Sequence, residues 1–375
     1  MKTTNLTGLM TVMSLGLLQS VAAQDLVIRN ARALDGNGGV VDSGTIVIRN
    51  GRISAYEEDL TTADFPVLDA RGETVIPAFT DAHRQVIQGD PDEWMDQAAE
   101  RMQEYLEAGF TTLVTTDESL DHILVLRDQL ESSEIEGPRL LVTGSVPLTS
   151  DSEEPVAEEA IREAVRNLAL EGLDGIASTV RATPGGRDRA AMSVARDEAN
   201  EQGLLAITHI ESVEDALAAV QGDSGYLTST PHAGHLDEDS ARNMVEAGRS
   251  NAEYGLVMTS TLGAIASESP GPANARMLWD AGIIYGFGTN TTLPPEEALR
   301  HELTALLGQF SNEEIFTILT KNAALASRRD DALGTLDRGK FADILVLSGD
   351  PLADVEHLFD IQVVIKTGRI VVDNR

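Results

Sequence analysis

Between residues 78 and 332, short apolar runs alternate with helical patterns, and this alternation constrains the fold more than any other feature of the chain. The first run ends near Ala78. The others are L-V-T-T (113–116), R-L-L-V-T-G (139–144), D-G-I-A-S-T-V (174–180), L-L-A-I-T-H (204–209), G-Y-L-T-S-T (225–230), G-L-V-M-T-S (255–260) and I-I-Y-G-F-G-T (283–289). Helical spacing between and after them marks 92–107, 118–132, 156–170, 188–202, 211–220, 237–248, 295–307 and 312–326. Eight strand candidates alternating with helices over about 250 residues predict an α/β fold, a closed (β/α)8 TIM barrel. An open doubly wound sheet also fits the alternation, but no glycine-rich dinucleotide or phosphate loop supports it.

Both ends of the chain have a different texture. Strand patterns occupy 26–34, 44–50 and parts of 66–77, and they return at 341–347 and 362–372, the last with hairpin signals at Thr367-Gly368. The expected organisation is a small β-sandwich built from 24–77 and 333–375, with the barrel at 78–332 between its two parts. Residues 1–23 read as a signal peptide: Lys2, an apolar stretch at 9–18, and small residues Val21-Ala22-Ala23 before Gln24. Cleavage near Ala23-Gln24 would send the protein to the periplasm or outside the cell. That stretch is too short for a spanning helix, and no later run is long and apolar enough, so no membrane span is expected in the mature chain.

Composition removes some chemistries. With no cysteine, there is neither a disulfide nor a thiolate ligand, and a metal site would have to use histidine with carboxylate or amide oxygen. A net charge of −33, spread along the chain, repels nucleic acid and anionic membranes and suits a solvated surface in salty water. The expected partner is a small molecule; the oligomeric state is not written in the sequence.

A barrel collects its working residues at the C-terminal ends of its strands. Of the seven histidines, His83, His209 and His232 fall there, and His235 follows three residues after His232. Three imidazoles converging at one mouth can hold zinc or a similar ion, or serve as acid and base. His122, His301 and His357 lie in helical or connecting segments and read as surface or structural residues. Asp81 ends the first strand, where it either takes part in catalysis, orients His83 or caps the next element. Asp117 is a mouth candidate or a helix N-cap. Gln85 and His235 are candidates for the substrate pocket. Asn290, after G-F-G-T, can bind substrate, weakly coordinate a metal or stabilise negative charge, but cannot act as a base.

Several stretches together resemble the metal-dependent amidohydrolase superfamily, in particular its imidazolonepropionase-like and prolidase-like branch. They are V-I-P-A-F-T-D-A-H, E-A-G-F-T-T, G-F-G-T-N, the segment L-G-T-L-D-R-G-K-F-A-D-I-L-V-L-S-G-D-P-L-A-D-V (333–355) and V-V-I-K-T-G-R-I-V (363–371). The resemblance implies a (β/α)8 barrel with a composite β-sandwich, and attack by a metal-bound hydroxide on an amide or ester. It implies His-x-His on the first strand, where this chain has His83 and Gln85. It implies a carbamylated lysine on the fourth, where D-G-I-A-S has Ala177. It implies histidines on the fifth and sixth, matched by His209 and His232, and an aspartate on the last, where Asn290 stands.

Without the bridging lysine and the aspartate, two dications at close range would lack the negative charge they need between them. The expectation is therefore a divergent hydrolase of a small amide, ester or cyclic amide, with one zinc or other divalent ion at most, or none. Two alternatives stand beside it: a metal-independent hydrolase or lyase using histidine, and a catalytically inactive exported binding protein.

Overall fold

The computed structural model describes residues 25–57, 65–116, 118–149, 156–182, 187–251 and 255–375. The expected signal peptide and Asp117 lie outside the described residues.

The N-terminal end supplies β1 (Leu26–Leu34), β2 (Val40–Arg49), β3 (Arg52–Glu57), β4 (Val67–Asp69) and β5 (Thr74–Pro77). The chain then enters eight parallel strands: β6 (Phe79–Arg84), β7 (Phe110–Thr115), β8 (Arg139–Ser145), β9 (Gly175–Thr179), β10 (Leu205–His209), β11 (Tyr226–Thr228), β12 (Val257–Thr259) and β13 (Ile284–Gly286). It leaves through β14 (Ile344–Leu347), β15 (Ile361–Lys366) and β16 (Arg369–Asp373). The two chain ends meet where β14 pairs antiparallel with β5, Val346 opposite Val75, and together they form one mixed sheet of eight strands. Two tight turns fix its hairpins. Asn50-Gly51 between β2 and β3 and Thr367-Gly368 between β15 and β16 all have positive φ, the backbone that matches strand twist in a two-residue loop.

The parallel strands run in sequence order from β6 to β13 and curl into a nearly closed barrel. Closure comes from the ends: Ala82 donates its N–H to the Phe287 carbonyl at 3.0 Å, and Asn290 donates to the His83 carbonyl at 2.8 Å. Gly288 permits this approach. A Cβ at Gly288 would stand 3.1 Å from the Cβ atoms of both His83 and Thr259. Gly288→Ala is therefore expected to overpack the seam and cost about 1–3 kcal/mol in chemical denaturation; an unchanged midpoint would show that the seam has slack.

Alternation along the strands sorts side chains into two layers. Val114, Leu141, Leu205 and Ile207 cluster together, whereas Leu113, Leu140, Val142 and Ile176 join the large core that includes Leu126 and Val165 of the surrounding helices. Ile207 and Ala177 are register partners on parallel strands and so point the same way, into the barrel. This fixes the inward positions of β9 as Gly175, Ala177 and Thr179, none of them ionisable.

Most helices fall where their spacing predicts, with three departures. The pattern at 92–107 breaks into Pro91–Met95 and Ala98–Glu107, and that at 312–326 contains a π turn, Ile318–Asn322. A helix at Gly271–Ala281 is absent from the predicted set. Proline is tolerated in a first helical turn, whose N–H groups lack partners anyway, and Gly282 at φ 95° ends the helix. Among the described residues no helix is long and apolar enough to cross a membrane.

Candidate active site

The mouth is built on the seam between β6 and β13. Asp81 is 1% exposed, and its carboxylate accepts three bonds: from the His83 N–H at 3.1 Å, the Thr289 N–H at 3.1 Å and the Thr289 hydroxyl at 2.6 Å. Burial raises its pKa, while the neighbouring Arg84 opposes the rise. Arg84, also 1% exposed, donates to the Tyr105 hydroxyl at 2.8 Å, to Thr289 Oγ1 at 3.1 Å and to the Leu293 carbonyl. Burial pushes the Tyr105 phenol up to about 12, so it stays neutral beside the guanidinium. Asp81, Thr289 and Arg84 thus lock the last strand end onto the first, and the Asp81 carboxylate is occupied in doing so.

That lock presents His83. Its ring is 2% exposed and faces His209, the last residue of β10, with ring centres 6.1 Å apart and planes tilted by 36°. Nε2 of His83 lies 3.4 Å from Thr116 Oγ1, and among the described residues Nδ1 is buried with no hydrogen bond of ordinary geometry. Burial lowers the His83 pKa to about 3, His209 adds to the drop and the Asn290 side chain opposes it, so the ring is neutral at physiological pH. Beside it, Gln85 donates its amide to Asn290 Oδ1 at 3.2 Å. The two positions where the resemblance implies a second imidazole and a carboxylate are joined here as a pair of neutral amides.

His232 reaches the rim from the neighbouring strand. Thr228, at the end of β11, is the register partner of His209, and the His232 N–H binds the Glu211 carbonyl at 2.9 Å. Its Nδ1 lies 3.2 Å from the Thr230 carbonyl. A carbonyl only accepts, so that contact places a proton on Nδ1, and in the neutral ring Nε2 keeps the lone pair. His235 is exposed on the following loop. The remaining histidines are peripheral: His122 contacts Ser119 and Asp92, His301 neighbours Glu297, and His357 binds the Asp350 carbonyl.

Sequence reasoning missed three supports of the mouth. Arg84 was passed over although a cation inside D-A-H-R at a buried strand end must find acceptors. Glu118 accepts from the N–H groups of Val86 and Ile87, tying the loop after β7 to the loop after β6. Glu302 is fully buried and accepts from Leu262 N–H at 2.9 Å and Gly263 N–H, so it holds the turn after β12. Burial raises its pKa to about 7 against those bonds and the Ser260 hydroxyl. Its signal was available, because Glu302 shares the helical spacing of the buried Ala298, Leu299, Leu303 and Leu306.

The donor set does not fit a two-metal centre. Among the described residues no three histidine, aspartate or glutamate side chains form a group able to hold a metal ion. His83 and His209 come together, His232 keeps its Nε2 available but does not join them in one group of ligands among the described residues, and the Asp81 carboxylate is taken up by Thr289 and the His83 N–H. Nothing ionisable points inward from β9, so that strand offers no group to bridge two ions.

Comparison with known proteins agrees with this architecture. The model of the amidohydrolase family matches residues 74–371. The imidazolonepropionase of Alkaliphilus metalliredigens is 24% identical over an alignment covering 89% of this chain and 91% of its own. Among solved structures, a putative prolidase from Bifidobacterium longum matches with a TM-score of 0.77 and 25% identity, over 93% of this chain and 95% of that one. Molinate hydrolase matches with a TM-score of 0.78 at 19% identity, over 93% and 95% of the two chains.

Proposed function

This chain belongs to the amidohydrolase family, and from that premise we propose that it hydrolyses a small amide, ester or cyclic amide with imidazoles, rather than a two-metal centre, moving the protons. The observation that carries this reading is the His83–His209 pair beside the Gln85–Asn290 amides. It gathers imidazoles and amides at the strand ends where the resemblance implies anionic metal ligands.

The chemistry follows from what each group can do. His232, with its proton on Nδ1, offers Nε2 to take a proton from water as that water attacks the substrate carbonyl. His209 stands on the adjacent strand end, and in this scheme it returns a proton to the leaving nitrogen or oxygen. The amide N–H groups of Asn290 and Gln85 stabilise the oxyanion of the tetrahedral intermediate. His83, neutral and buried, lines the chamber and excludes water. Asp81 is a positioning residue, fixing His83 and Thr289 rather than meeting substrate. Export after cleavage near Ala23 belongs to the same proposal: an external enzyme working on small nutrients or xenobiotics.

The test is turnover of three substrate classes, namely N-acyl amino acids, small carboxylic esters and five- or six-membered lactams, before and after exhaustive dialysis against EDTA. Hydrolysis of one class that persists after dialysis supports the proposal. Turnover that vanishes with EDTA and returns only with two equivalents of divalent ion contradicts it. No turnover in any class points instead to the inactive binding protein.

A further inference from the structure

A second feature lies at the opposite end of the barrel from the histidines. Arg139 is the first residue of β8 and so marks the N-terminal end of the barrel strands, while Thr367 sits in the β15–β16 turn of the mixed sheet. Between them is a hollow of about 330 Å³, at the small end of the range for small-ligand sites. Arg127, Arg139, Lys366 and Arg369 line it, against two carboxylates, Glu131 and Glu136. That excess of cations stands out in a chain with 61 acidic and 28 basic residues.

The wall cations are not equally satisfied. Arg369 pairs with Glu136, Arg139 with Asp343 at 3.2 Å, and Arg127 lies 3.7 Å from Asp174. Lys366 donates to the Gly137 carbonyl, and no ion pair to it occurs among the described residues. An ammonium has three donors, and a single carbonyl leaves it short of counter-charge. Burial, followed by repulsion from Arg139, lowers its pKa to about 8; Asp343 and Glu136 oppose the drop, and Arg369 adds to it.

We propose that this hollow binds a small polyvalent oxyanion, a phosphate or a polycarboxylate, with its charge resting on Lys366 and flanked by Arg139 and Arg369. Such a ligand supplies the counter-charge Lys366 lacks and bridges barrel and sheet, at a distance from the mouth. Binding favours the ammonium, so affinity falls as pH rises through about 8 and the free amine loses its proton.

The experiment is calorimetric titration of the full mature chain at low ionic strength with inorganic phosphate and, separately, with citrate, at pH 7 and pH 9. One saturable site is expected for at least one of them, weaker at pH 9, and the stronger binder distinguishes a phosphate from a polycarboxylate ligand. Lys366→Met is expected to weaken binding about tenfold or more, and Lys366→Arg to retain it. Arg369→Gln, at the more exposed edge, provides the same reading if Lys366→Met does not fold. Failure of both anions to saturate, or equal binding by Lys366→Met or Arg369→Gln, overturns the proposal.

Discussion

Arg84→Ala is expected to lower the free energy of unfolding by about 3–5 kcal/mol, the usual cost of removing one partner from a buried charge network. Arg84 and Asp81 are each 1% exposed, and Thr289 Oγ1 joins them, accepting from Arg84 at 3.1 Å and donating to Asp81 at 2.6 Å. Without the guanidinium, the Asp81 carboxylate keeps its Thr289 and His83 bonds but loses the charge that offsets its burial. The Tyr105 hydroxyl and the Leu293 carbonyl lose a donor as well. Arg84→Lys should recover only part of the loss, because one ammonium cannot match a planar fork with three separate acceptors. Urea denaturation measures both variants. A cost below about 1 kcal/mol for the alanine variant would mean that the seam is held by its backbone bonds alone.

The second large effect is on turnover. His232→Ala is expected to reduce kcat about 10²–10⁴-fold, the range for losing a general base, with a much smaller change in KM. His209→Ala should act chiefly on substrates with poor leaving groups, amides more than esters, if it returns the proton. Parallel kinetics on an ester and an amide, with circular dichroism to verify the fold, measure both. Retention of kcat within a factor of about three in His232→Ala would remove that residue from the chemistry.

The frame of this protein was legible in its sequence because it rests on local patterns. Short apolar runs and helical spacing exposed eight barrel strands and most helices, and Thr367-Gly368 announced its own hairpin. His83, His209 and His232 were visible as strand-end residues, and the first two do meet. What stayed hidden depends on partners distant in sequence. Asp81 could be read as catalytic or structural until Thr289, 208 positions away, was found to occupy its carboxylate. The orientation of His232 is set by the carbonyl of Thr230, which no side-chain pattern reports. Arg84 and Glu302 each carried a local hint, a cation at a buried strand end and a carboxylate on the buried face of a helix, but the carbonyl, hydroxyl and N–H groups that hold them lie elsewhere in the chain. Lys366 sits in a recognisable closing hairpin, yet its shortage of counter-charge emerges only when the loop before β8 packs against it.

The most direct test of the central claim is to count metal per chain by mass spectrometry, as purified and again after incubation with zinc, manganese or iron, while following hydrolysis of the active substrate class. The prediction is at most one ion per chain in every condition, with turnover retained after EDTA. Two ions per chain, with activity that rises and falls with their occupancy, would contradict it.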